Sequence, residues 1–219
     1  MKDISGLKID VVLASGSPRR RELLQGLGWN FRVVVPEVDE SVLPRESPEE
    51  LCLRLSVAKA GAAMELRGGK IHVDGEVLVI AADTVVVVDG SILGKPADEA
   101  DSLRMLRLLR GRSHEVLTGV SVINSNIEER RLSALERTVV TFRPLSDADV
   151  AAYAATGEGT DKAGAYAIQG RGSLLASSIE GDYFNVVGLP LCRLGTMIEE
   201  LGINLGRQWA GQDKSDGWR

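Results

Sequence analysis

Asp83 is the only charged residue in the twelve-residue apolar run VLVIAADTVVVV at 77–88. A strand so apolar is expected to be covered on both faces, and an unpaired carboxylate is costly to bury there. Such a group persists where a metal, a cation or a strong hydrogen-bond set compensates it. The plainer alternative is a carboxylate that caps a strand end or turn, and the four valines that follow leave little room for one. The segment SGSPRRR at 15–21 is the second chemical signal. A glycine turn opening a helix presents free backbone N–H groups and a positive dipole end, which together favour an anion. Ser15 and Ser17 can add hydroxyl donors. Arg19, Arg20 and Arg21 place three cations in a first turn that normally favours acids. A bound phosphate would relieve that misplacement, and a solvated basic face is the competing reading. The chain contains no GxxxxGK[ST] loop.

Lys59 interrupts the alanine-rich end of a helical run, and Lys95 stands in the tight turn Gly94-Lys95-Pro96. Asp39 and Glu40 lie in an acidic loop. Each of these alone reads as an ordinary surface residue. Together they supply acids able to hold a hard cation and bases able to clamp phosphates. Mg²⁺ commonly takes one or two carboxylates plus substrate phosphate oxygens, which matches this supply.

The elements that must position these residues follow from pattern. Residues 9–14 (IDVVLA) read as a strand, and 18–28 as a helix opened by proline and closed by Gly28. Phe31–Val35 reads as a second strand. Ser47 and Glu50 form a capping box for a helix to about Leu66, with Leu51, Leu55, Ala58 and Ala62 along one face. Residues 77–88 read as a strand, and Asp89-Gly90 as a two-residue hairpin turn. A helix over 97–109, strands over 114–123 and 135–142, and a helix capped by Ser146 follow. After a glycine-rich loop comes DKAGAYAIQG at 161–170, and a last helix spans about Leu189–Leu201. Strand, glycine turn and helix in alternation indicate an α/β protein. We expect one unit over 1–204 with two lobes around a groove, and leave the polar segment 205–219 unassigned.

Composition narrows the class. Hydrophobic residues make up 44% and charged residues 26%, as in ordinary globular proteins. The net charge of −5 argues against broad nucleic-acid binding. No run approaches bilayer-spanning length, and the N-terminus lacks the apolar core of a signal peptide. Cys52 and Cys192 have neither a CxxC partner nor metal-ligand spacing, so they read as buried thiols in a reducing compartment. Cytoplasmic localisation is the expectation, with no membrane and no nucleic-acid partner.

The run LASGSPRRRELLQGLG at 13–28 resembles the opening signature of the Maf family of nucleoside triphosphate pyrophosphatases. So do VDES at 38–41, SVAKA at 56–60, AADTVVVVDGSILGKP at 81–96, LTGV at 117–120, DKAGAYAIQG at 161–170 and VVGLPL at 186–191. Seven blocks in the family's order across 10–200 make a strong resemblance where any one would be weak.

The resemblance implies a mixed twisted sheet with flanking helices, similar to inosine triphosphate pyrophosphatases. It implies hydrolysis of a nucleoside triphosphate to the monophosphate and pyrophosphate with a divalent metal cation, Mg²⁺ or Mn²⁺, with Co²⁺ a third candidate. Asp83 matches the family's catalytic aspartate, as water-activating base or metal ligand, and Glu40 matches a second metal-binding acid. Lys59 and Lys95 match lysines that face the phosphates. Ser15, Arg20 and Lys162 are further candidate substrate contacts. Arg19, Thr84 and Gln169 resemble the subgroup acting on dTTP and UTP, with modified pyrimidine nucleotides as further candidates. The 7-methyl-GTP subgroup carries tryptophan, glutamine and glutamate at those positions. Ala167 replaces a glycine common in relatives, which touches only local loop geometry. A homodimer is implied as well. The alternatives are a purine-directed pyrophosphatase of the inosine triphosphate type and a non-catalytic regulator of septum formation.

Overall fold

Runs rich in valine, isoleucine and threonine build one seven-stranded mixed sheet in the computed structural model, which describes residues 9–70, 76–125 and 130–205. Strand β1 (Ile9–Ala14) lies between β2 (Phe31–Val34) and β3 (Glu76–Val88) and is parallel to both. On the far side of β3 come β5 (Ser113–Asn124), β6 (Arg130–Phe142) and β7 (Ala176–Glu180), each antiparallel to its neighbour. The short β4 (Ser91–Leu93) folds back on the end of β3. Its turn has Asp89 at φ 50° and Gly90 at φ 73°, the two positive angles that a tight hairpin of this hand requires. The polar segment expected at 205–219 lies outside the described residues from 206 onward.

Six α-helices flank the sheet: α1 (Pro18–Gly26), α2 (Pro48–Lys70), α3 (Glu99–Leu109), α4 (Asp147–Ala154), α5 (Tyr183–Val187) and α6 (Leu191–Glu200). The capping box of α2 is formed, with Ser47 N–H donating to Glu50 Oε2 at 2.8 Å and Glu50 N–H to Ser47 Oγ at 3.2 Å.

The alternation along β3 divides the core. On one face Val77, Val79 and Ala81 pack with Ala60 and Ala63, while Val85 and Val87 pack with Leu51, Cys52 and Leu55, all five of these partners lying on helix α2. On the other face Leu78, Ile80 and Ala82 meet Leu194, Met197 and Ile198 of α6. Further along that face Val86 and Val88 meet Met105, Leu106 and Leu109 of α3. Each face of β3 therefore carries two apolar clusters with one polar residue between them, Asp83 on the α2 side and Thr84 on the other. These are the two lobes, and they meet at Asp83-Thr84.

The strand pairing opens the same place sideways. β1 pairs with residues 76–80 of β3 and β4 with 86–88, whereas β5 pairs along 78–87 of the opposite edge. Among the described residues, 81–85 thus have no paired strand on one edge.

Four sequence expectations shift, the first being that Cys192 is exposed, whereas Cys52 is buried as expected. The buried stripe of α2 is Leu51, Cys52, Leu55, Ser56, Lys59, Ala60 and Ala63, so Ala58 and Ala62 stand beside it and Lys59 within it. Strand β7 and helix α5 were not anticipated: ASSIE has no clear apolar alternation, and five residues are too few for a helical period to show. The last helix starts two residues later, at Leu191.

His114 is 2% exposed, packs edge-on against Phe142 and Tyr166, and bonds Tyr166 Oη through Nε2 at 2.7 Å. Burial pulls its pKa from 6.5 down to about 4. The unfolded chain therefore takes up this proton first as pH falls. The stability contributed by the neutral ring is complete above pH 6.5 and is lost as pH drops towards 4. Its full size is about 3 kcal/mol. Denaturant titrations of wild type and His114→Phe across that window test this, and an unchanged pH slope in the variant would refute it.

Candidate active site

The gap beside β3 opens into a cavity of about 640 Å³. Its walls come from the β1–α1 turn, the loop before α2, the buried face of α2, the turn after β4, residues 161–169 and the end of α5. Ser15, Arg19, Arg20, Glu40, Lys59, Asp83, Thr84, Lys95, Lys162 and Gln169 all line it. These ten candidates are thus brought to one place. Asp39 and Arg21 are not: both are exposed and neither lines the cavity, so the basic turn supplies two cations to the site and not three.

Asp83 has a side chain 13% exposed, and its Oδ1 accepts a 2.6 Å bond from Lys59 Nζ. The same ammonium lies 2.7 Å from Glu40 Oε1. Two carboxylates from distant parts of the chain thus converge on one cation. The bond from Lys59 holds the Glu40 carboxyl below its ordinary pKa, against the effect of burial. Lys59 reaches Asp83 because α2 lies close against the sheet, and Gly119 permits that approach. Gly119 is the β5 partner of Asp83, and a Cβ there would overlap the Cys52 carbonyl of α2. Sequence reasoning gave Gly119 no role beyond membership of LTGV. The signal was a lone glycine inside an otherwise β-forming strand, which marks a close backbone approach.

On the other face Arg20 is almost fully buried and its donors are engaged by the protein. Nε donates to Gly188 O at 2.7 Å, Nη1 to Ser15 Oγ at 3.1 Å and Nη2 to Thr84 Oγ1 at 3.0 Å. Burial lowers its pKa, and the nearby Asp83 charge works the other way. Thr84 Oγ1 also bonds Thr118 Oγ1 at 2.9 Å, and Thr118 donates to Asn185 O. Asn185, fully buried, donates in turn to Val116 O and Thr138 Oγ1, both at 3.0 Å. This chain of polar contacts ties the β1–α1 turn, three strands and α5 together beneath the cavity. Ser17 caps α1 by accepting from Arg20 N–H, and no acid stands in that helix's first turn.

The remaining candidates differ in how free they are. Lys162 Nζ is held by Asp161 and by Glu158 O at 2.5 Å. Lys95 is exposed and makes no ion pair among the described residues. Its turn is anchored where Gly164 N–H donates to Gly94 O at 3.0 Å. Arg19 has a buried Nε with no partner, and burial lowers its pKa against the pull of Asp161 and Glu22. Gln169 makes no side-chain hydrogen bond among the described residues. The charged lining comprises five cations (Arg19, Arg20, Lys59, Lys95, Lys162) and three acids (Glu40, Asp83, Asp161), so the cavity favours an anionic ligand. No group of three or more His, Cys, Asp or Glu side chains placed to hold a metal ion is found among the described residues. Glu40 and Asp83 already share one cation, and that suits a hard ion held jointly with phosphate oxygens.

A mixed sheet with a net-cationic cleft, two convergent carboxylates and unpaired polar side chains at one end defines a phosphate-handling α/β protein. The chain belongs to the Maf family: the model for Maf-like protein matches residues 10–201. It is 50% identical over 201 residues to the dTTP/UTP pyrophosphatase of Symbiobacterium thermophilum, covering 92% of this chain and 98% of that one. It is 46% identical over 200 residues to the dTTP/UTP pyrophosphatase of Dictyoglomus thermophilum, covering 91% and 100%. Among solved structures, a HAM1 protein from Coxiella burnetii is 16% identical, covers 61% of this chain and 73% of its own, and has a TM-score of 0.43. No helix of the described residues is long and apolar enough to cross a membrane.

Proposed function

We propose that the protein is a nucleoside triphosphate pyrophosphatase that removes dTTP, UTP and modified pyrimidine nucleotides from the nucleotide pool, releasing the monophosphate and pyrophosphate. The observation that carries this reading is the convergence of ten marked residues on one cavity of nucleotide size. The names of the relatives, dTTP/UTP pyrophosphatase, support it.

Cleavage between the α- and β-phosphates needs an in-line water, neutralised non-bridging oxygens and help for the leaving pyrophosphate. Asp83 has Oδ1 tied to Lys59 and lines the cavity, where its carboxylate would take a proton from water or hold a cation. Lys59, Lys95 and Arg20 put positive charge around the phosphates, with Ser15 and the α1 turn at one end. Glu40 and Asp83 would hold a divalent cation, Mg²⁺ or Mn²⁺ or Co²⁺, which supplies charge neutralisation when bound. Arg19 and Gln169 face the base end with donors that no described residue uses. Thr84 supports that end through Arg20 and Thr118, and Lys162 through Asp161. Cytoplasmic location and a homodimer belong to the same proposal. Light scattering that returned only single-chain mass would reject the dimer.

The test is pyrophosphate release from dTTP, UTP, ATP and GTP, with each metal and with excess EDTA. Pyrimidine triphosphates are expected to lead by about 10-fold or more in kcat/KM, as one or two lost base hydrogen bonds would give. Chelation is expected to stop turnover and added metal to restore it. Equal rates on all four nucleotides would remove the base-reading role, and full turnover in EDTA the metal.

A further inference from the structure

We infer that the Glu158 carboxylate is a positioning residue that holds the 165–172 loop in the shape presenting Gln169 to the nucleotide, with Tyr153 as its partner. This deepens the function proposed above and rests on it. Gln169 lines the cavity, and its side chain makes no hydrogen bond among the described residues, so other groups must fix the loop that carries it. Glu158 does so from outside the cavity. Its Oε1 accepts from Arg171 N–H at 3.0 Å and its Oε2 from Gly172 N–H at 2.8 Å. Tyr153 Oη accepts from Ala167 N–H at 3.0 Å and lies beside the same carboxylate. Backbone on both sides of Gln169 is thus gathered onto two side chains.

The glycines of the segment fit this arrangement. A Cβ at Gly170, where φ is +64°, would overlap Glu158 Oε1. One at Gly172 would overlap Ala167 O and come within 2.8 Å of Tyr153 Oη, and one at Gly159 would overlap Ala165 O. The loop is wound tightly around the carboxylate, and only glycine fits at those three places. Burial tends to raise the Glu158 pKa, but the two backbone donors, Tyr153 and Lys162 outweigh it. The carboxylate is therefore kept in its double-acceptor form. Tyr153 also lies near Arg19, whose buried Nε has no partner among the described residues.

Glu158→Gln keeps the size but turns one acceptor into a donor that faces a backbone N–H. In this variant we expect KM for the best triphosphate substrate to rise about 10-fold, the scale of one weakened hydrogen bond in a base-reading site. We expect kcat to stay within about 2-fold, because Asp83 and Lys59 are untouched. Amide exchange at Arg171 and Gly172 is expected to accelerate. The deciding experiment is a cycle with Gln169→Ala: if Glu158 acts through Gln169, Glu158→Gln adds little to KM in the Gln169→Ala background. Additive KM effects, or unchanged KM and protection in Glu158→Gln, would overturn the assignment. A wild type inert towards every triphosphate would instead overturn the pyrophosphatase reading and this inference with it.

Discussion

Asp83→Asn is expected to reduce turnover by at least about 100-fold, the usual scale for loss of a general base or of a metal-binding charge. The substitution keeps the shape of the side chain and removes its charge. Asp83 is nearly buried between two apolar clusters of β3, and the compensating groups around it are cationic: Lys59 at 2.6 Å and the buried Arg20 nearby. An amide at this position cannot accept a proton from water and binds a hard cation poorly. Lys59 keeps its 2.7 Å contact with Glu40, so the ammonium is not stranded and the fold should survive. Pyrophosphate release and thermal melting on the same preparation separate the two effects. Activity within a few-fold of wild type in a normally folded variant would move the chemistry away from Asp83.

The second large effect is on stability. Gly119→Ala puts a Cβ into the Cys52 carbonyl and against Leu53 N of helix α2, both of them backbone atoms that cannot rotate aside. The helix must lift off the sheet or the strand must bend. Overpacking against soft side chains already costs about 1–3 kcal/mol, so a loss at or above about 3 kcal/mol is expected here. Activity should fall with it, because the same displacement carries Lys59 away from Asp83. Gly26→Ala is the matched control: it sits in α1 with nothing near its Cβ position, and it should be neutral or slightly stabilising. Urea titrations showing equal stability for the two variants would contradict the close-approach role of Gly119.

A lone glycine in a β-forming strand signals a close approach at Gly119 but not that its neighbour is the Cys52 carbonyl of α2, and this shows where sequence reading stops. Local chemistry was legible. The Ser47–Glu50 cap, the Asp89-Gly90 turn and the isolation of Asp83 are each set within a few residues, and each is found in the structure. That ten candidate residues would share one cavity was also legible, because the family blocks carry them in order. The phase of α2 was not. Alanine offers little contrast in size or polarity, so the pattern could not tell a stripe through Ala58 and Ala62 from one through Lys59 and Ala63. Partners were illegible for a different reason. Arg20 meets Gly188 across 168 residues and Thr118 meets Asn185 across 67, and no local pattern encodes such pairings. The free state of Gln169 could be recognised only once Glu158 was seen to occupy the loop backbone in its place.

Strands β3, β5 and β6 run unbroken from one lobe into the other, with β5 paired to β6 at every position from 113 to 124. Many two-lobed enzymes close like jaws about a flexible joint, with a few linker residues absorbing the rotation. Here the joint is a three-strand girder, and turning one lobe against the other would have to shear or bend all three ladders together. Admission and release of a ligand must then fall to the loops that rim the gap beside Asp83: the stretch before α2, the turn bearing Lys95 and the segment 161–169. Of these, the last two are laced together by Gly164 and Gly94, and the first is tied to α2 by Lys59 at Glu40 and by Arg54 at Ser41 O.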